Sequence, residues 1–202
     1  MRLRVCGPKG PPNGCPVADW VAIAGPRRLP AWARAEVQSV VAGLVRAGFA
    51  VSVGCSQGAD AAAIRAAGPA GCRVFAAWGP RGAGAVPVSA VREVLAHGSA
   101  AGAVTWWAGG GPSVPARARL ARRTHAVIAT ANRAAVVWLA PGSSGSLLAA
   151  RAAARAGLPV IAFPLYGELP SLGMGQWASG LPGRWARARK WTQAPECLVT
   201  CP

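Results

Sequence analysis

Acidic side chains are scarce in this chain: six Asp and Glu stand against 22 Lys and Arg, for a formal net charge of +16. So few carboxylates leave little material for paired acid–base catalysis or for oxygen-rich metal sites. The same imbalance produces a field that draws in nucleic acid, nucleotides or other anions. Lysine is nearly missing too, with Lys9 and Lys190 its only instances. A GC-rich coding bias would account for arginine in place of lysine, but not for the shortage of acids. Long apolar runs are also lacking. The uncharged stretch 94–116 could span a bilayer by length, but His97, Pro112, Pro115 and a set of glycines interrupt it. Residues 1–16 place Gly, Pro and Lys where a secretory signal needs an apolar segment. A cytoplasmic protein without a membrane partner is expected.

Cysteine is present but poorly spaced for metal. Cys55 and Cys72 fall inside expected elements and read as small buried residues. Cys6, Cys15, Cys197 and Cys201 lie near the two ends, where a zinc clip or disulfides are conceivable. Their spacings lack the tight C-x2-C of a dependable zinc site, so unligated thiols are the simpler reading. No metal and no cofactor is expected.

What the chain does have is apolar material, 52% of its 202 residues, enough for one domain with a substantial core. Residues 1–18, rich in Pro and Gly, read as an irregular N-terminal arm. From there to residue 164, short apolar runs at 20–24, 49–53, 72–77, 103–107, 134–139 and 158–163 read as strands. Helical spacing between them predicts helices from Pro30 to about Gly48, to about Ala67, over 88–97, over 116–130 and over 146–156. Strands alternating with helices in this way predict an α/β fold: a Rossmann-like parallel sheet with helices on both faces, over 19–164. Residues 165–202, with Trp177, Trp185 and Trp191 among turn formers, read as an irregular tail.

In such a sheet ligands bind beyond the carboxyl ends of the strands, where helix N-termini converge. Three loops there carry suitable residues. In Gly25-Pro-Arg-Arg28 a glycine permits close approach, and the forks of Arg27 and Arg28 suit phosphate. In Gly54-Cys-Ser-Gln-Gly-Ala-Asp60, Gly54, Ser56 and Gly58 precede a helix start that can cradle an anion, although Asp60 can occupy the same positive end. Pro141-Gly-Ser-Ser-Gly-Ser146 collects Gly142, Ser143, Ser144, Gly145 and Ser146 at a third helix start, with Arg151 and Arg155 one turn apart behind it. Arg117, Arg119, Arg122 and Arg123 lie on the helix over 116–130. Arg119, Arg122 and Arg123 can share a face, and with no acid between them they call for a compensating anion.

Taken together, Val21-Ala-Ile-Ala-Gly-Pro-Arg-Arg28, Gly54-Cys-Ser-Gln-Gly-Ala-Asp-Ala-Ala-Ala63 and Ser144-Gly-Ser-Leu-Leu-Ala-Ala150 resemble the DprA/Smf DNA-processing pattern, roughly VAIVGSR, GLARGIDAAAH and SGSLITA. Arg122-Arg-Thr-His125 is a looser match to its arginine segment. The resemblance covers about residues 20–164 and extends to the wider SLOG group, which includes the LOG phosphoribohydrolases. It implies a domain that binds single-stranded DNA through a basic pocket, takes part in DNA processing or recombination, and acts as a homodimer. Arg27, Arg28, Arg122 and Arg123 would then contact the strand, with Ser144, Gly145 and Ser146 at a phosphate. LOG enzymes need a glutamate where this chain has Ala149, so no catalytic residue is assigned. Two other readings stay open: a sensor or carrier for a nucleotide-like small molecule, and, less favoured, a nucleotide hydrolase using Asp60 or Glu93.

Overall fold

The computed structural model describes residues 19–193. The four terminal cysteines and the N-terminal arm lie outside that range. The expected alternation is present: β1 (Trp20–Ala24), α1 (Ala31–Arg46), β2 (Ala50–Val53), α2 (Ala59–Ala67), β3 (Cys72–Phe75), α3 (Val91–Ser99), β4 (Ala103–Thr105), α4 (Ala116–Thr130), β5 (Ala134–Leu139), α5 (Ser144–Arg155) and β6 (Val160–Pro164). These six strands are all parallel, each joined to the next in the chain by a helical crossover.

The tail departs from the sequence reading. Residues expected to be irregular form β7 (Gly175–Ala178) and β8 (Arg189–Gln193), which extend the sheet antiparallel from β6. The strands are four and five residues long, and the segment between them is rich in Gly and Pro, so their alternation is too brief to register as a periodic signal. The sheet is therefore mixed, eight strands in the order β4-β3-β2-β1-β5-β6-β8-β7. It remains a Rossmann-like α/β sheet, because the antiparallel pair occupies one edge.

Two apolar layers hold it. Val37, Val40 and Val41 of α1 and Ala62, Ala63 and Ile64 of α2 pack with Val51, Val53 and Val74. On the other side Val127 and Ile128 of α4 and Ala149, Ala150 and Ala153 of α5 pack with Val137, Leu139 and Val160. The alanine-rich faces of α2 and α5 let these helices lie close to the sheet. Strands β1 and β5 are neighbours although three helix–strand units separate them in the chain, so the order reverses between them. In open parallel sheets ligands bind at such a reversal, beyond the carboxyl ends of the two strands.

Candidate nucleic-acid interface

The loop after β1 and the loop after β5 leave neighbouring strand ends at the reversal, Ala24 being paired with Val137. A side chain at Gly25 would press on the Cβ atoms of Ala59 and Trp138, so only glycine lets β1 run flush between α2 and β5. Gly58 has φ +75° and lies against the carbonyls of Pro26 and Arg27. Next to it the Ala59 amide donates to Pro26 O at 3.2 Å. These two glycines build the loop junction, and neither waits for a ligand.

The start of α2 is filled from within. Asp60, 4% exposed, accepts from the Ser56 amide at 2.9 Å and from Arg123 Nη1 at 3.3 Å. Arg123 Nη2 donates to Ser56 Oγ at 3.1 Å. Burial pushes the Asp60 carboxyl above the usual carboxylate range, while Arg123, the Ser56 amide and the charge of Arg27 pull it back. Gly54 is the residue that admits this pair, since a Cβ there would occupy the position of the Arg123 guanidinium. Arg119, one turn earlier on α4, is also buried. It donates to Gly84 O at 3.0 Å and stacks on Trp107, 5.1 Å from the ring centroid.

Arg119 and Arg123 thus leave the set of exposed cations expected from the sequence. The anion that compensates Arg123 is the protein's own Asp60. Arg122, on the outer side of α4, is exposed, and so are Arg27 and Arg28. The positive end of α2, considered above as an anion cradle, is taken by Asp60.

The start of α5 differs. Ser143 is used in the loop, its hydroxyl donating to Ala140 O at 2.6 Å and accepting from the Ala140 amide at 3.1 Å. Gly142 has φ +75°, which turns the chain toward the helix. Beyond it the first-turn amides of Gly145 and Ser146 have no acceptor among the described residues. Nothing stands within 4 Å of where a side chain at Gly142 or Gly145 would project. Ser146, 4% exposed, has a buried hydroxyl without a partner. Open space and free amides at a positive helix end make this turn the candidate anion-accepting element of the site.

Other acids are engaged elsewhere. Glu93 is paired with Arg65 at 2.7 Å and Arg92 at 3.1 Å, and Ala149 is buried inside α5. Sequence reasoning missed Glu36 on α1. Its Oε2 accepts from Trp138 Nε1 at 3.0 Å, and its Oε1 from Arg187 at 2.9 Å. Helical periodicity places residue 36 at the border of the α1 apolar face, but nothing local indicates its distant partners. Among the described residues there is no cluster of three or more His, Cys, Asp or Glu that could hold a metal, and no helix long and apolar enough to cross a membrane.

A doubly wound sheet whose strand order reverses between β1 and β5 defines a Rossmann-like α/β domain. The chain belongs to the family of DNA recombination-mediator protein A, whose family model matches residues 9–172. Among solved structures it is similar to DNA processing protein A of Helicobacter pylori, described for its single-stranded DNA binding mode. That match has 21% identity and a TM-score of 0.59, and covers 75% of this chain and 66% of that one. It is also similar to DNA processing protein A (DprA) of Streptococcus pneumoniae, with 20% identity and a TM-score of 0.54, covering 77% of this chain and 53% of that one. The chain thus spans from about half to two thirds of the relatives it matches. No curated protein matches it.

Proposed function

We propose that this domain binds single-stranded DNA at the switch point and serves DNA processing or recombination without covalent chemistry of its own. The observation that carries the reading is the first turn of α5, with its free amides and the open space around Gly145. A backbone phosphate at this helix start would accept from the free N–H donors. Arg27 and Arg28 are exposed on the adjacent β1 loop and supply charge for neighbouring phosphates. Membership of the family and the strand binding described for the H. pylori protein support the polymer over an isolated nucleotide. A homodimer, implied by the same resemblance, belongs to this reading as well.

Catalysis is left out for a chemical reason. Asp60 and Glu93, the acids named for a hydrolase, are both tied to arginines, and the position where LOG enzymes carry their glutamate is the buried Ala149. The test is fluorescence anisotropy of a labelled single-stranded oligonucleotide, with nucleoside monophosphates as competitors. Gly145→Glu is the informative variant, because its carboxylate projects into open space and repels an anion at the helix start. Ser146 is too buried for that purpose. About tenfold weaker strand binding is expected from a favourable partly buried helix-end charge effect. Unchanged affinity in the folded variant would remove the α5 turn from the site. Competition by micromolar monophosphate would favour the small-molecule sensor.

A further inference from the structure

We infer that Trp32, at the start of α1 beyond the β1 loop, is a base-stacking platform held in position by Arg187; the inference rests on the strand-binding reading above. The nine tryptophans differ sharply in exposure. Eight are buried or half-buried, whereas Trp32 is 46% exposed. It stands in the first turn of α1, four residues after Arg28, a distance the chain limits to about 14 Å. The Arg187 guanidinium lies 4.5 Å from its ring centroid. That guanidinium is itself fixed, donating to Glu36 Oε1 at 2.9 Å and to Pro164 O at 2.8 Å. Glu36 is anchored in turn by the Trp138 indole at 3.0 Å.

The chain of contacts therefore runs from β5 and the end of β6 outward to the exposed indole. A core tryptophan would bury its area, whereas this one stays accessible while a salt-bridged guanidinium fixes its orientation. Pre-orientation lowers the entropy lost when a flat ligand stacks on it. The flat ligand that accompanies phosphates at Arg27, Arg28 and the α5 turn is a nucleobase. Stacking accepts any base, since each has a π face, but it needs the base unpaired and accessible. The platform therefore selects single strands over duplex without selecting sequence.

The experiment measures binding of an oligothymidylate, of an abasic oligonucleotide of equal length and of a duplex, to the wild-type chain, Trp32→Ala and Trp32→Phe. Circular dichroism and melting confirm folding of each variant. Expected is a loss of about 5- to 150-fold for Trp32→Ala on oligothymidylate. Its affinity for the abasic strand and its salt slope stay unchanged, and Trp32→Phe recovers part of the loss. Wild-type binding that Trp32→Ala leaves intact, or an equal loss on the abasic strand, overturns the platform and spares the strand-binding reading. Absence of oligonucleotide binding by the wild-type chain overturns both.

Discussion

At the residue scale the Asp60–Arg123 pair shows how a motif residue can serve structure. Arg123 comes from α4 and Asp60 from α2, so the pair joins the two helical layers across the end of β2. Removing one partner leaves the other charge buried alone, and Arg123→Met should cost about 3–5 kcal/mol in urea unfolding. Asp60→Leu combined with Arg123→Met should recover most of that loss, because an apolar pair has no desolvation penalty. His97 supplies the pH response. It is 5% exposed at the end of α3, and burial holds its imidazole below the ordinary value of 6.5, with backbone groups of Ala103 and Cys72 opposing. Above that value the imidazole is neutral in both folded and unfolded states and adds no pH dependence. Below it the unfolded state takes up a proton that the folded state resists, so stability falls until the pH reaches the depressed folded value. Unfolding midpoints at pH 7.5 and 5.5 should therefore differ, and by less in His97→Gln; equal pH responses would exclude His97 as the cause.

At the element scale the C-terminal hairpin is the piece that local pattern conceals. β8 contributes Trp191, 6% exposed, opposite Val160 of β6, and Trp177 of β7 meets it edge-on with centroids 5.1 Å apart. Trp191 also closes the apolar layer beneath α5. Trp191→Ala should cost about 3–5 kcal/mol, by loss of buried area and the cavity left behind, measured by denaturant unfolding. A loss below about 1 kcal/mol would mean that the hairpin packs loosely and that the sheet effectively ends at β6. The hairpin also covers the β6 edge, which would otherwise present unpaired amides and carbonyls to other chains.

At the scale of the whole molecule the charge of +16 should govern the proposed association with a strand. Strand binding releases counterions, so the logarithm of affinity should fall against the logarithm of salt concentration with slope about −0.7Z for Z phosphate contacts. Arg27→Ala and Arg28→Ala should each weaken binding on every strand sequence and flatten that slope by about 0.7. Arg122→Ala tests whether the outer side of α4 belongs to the same track. A slope near zero for the wild-type chain would assign the charge to something other than phosphate contact.

The six parallel strands and the five helices were legible because hydrophobic periodicity is a local property, set by which residues must face a core. The three glycine-bearing loops were legible too, since their spacing reflects tight turns that few other residues allow. The role of each arginine was not. Arg119 and Arg123 differ from Arg122 only in the side of α4 they occupy, and that side faces Asp60, Gly54 and Trp107 only once α2 and α4 have packed on opposite faces of the sheet. Trp32 likewise acquires its orientation from Arg187, 155 positions away in the chain. Local sequence determined the elements of the parallel sheet and the net charge. Long-range packing decided which charges stay exposed, because a guanidinium is neutralised by whatever carboxylate the fold brings to it.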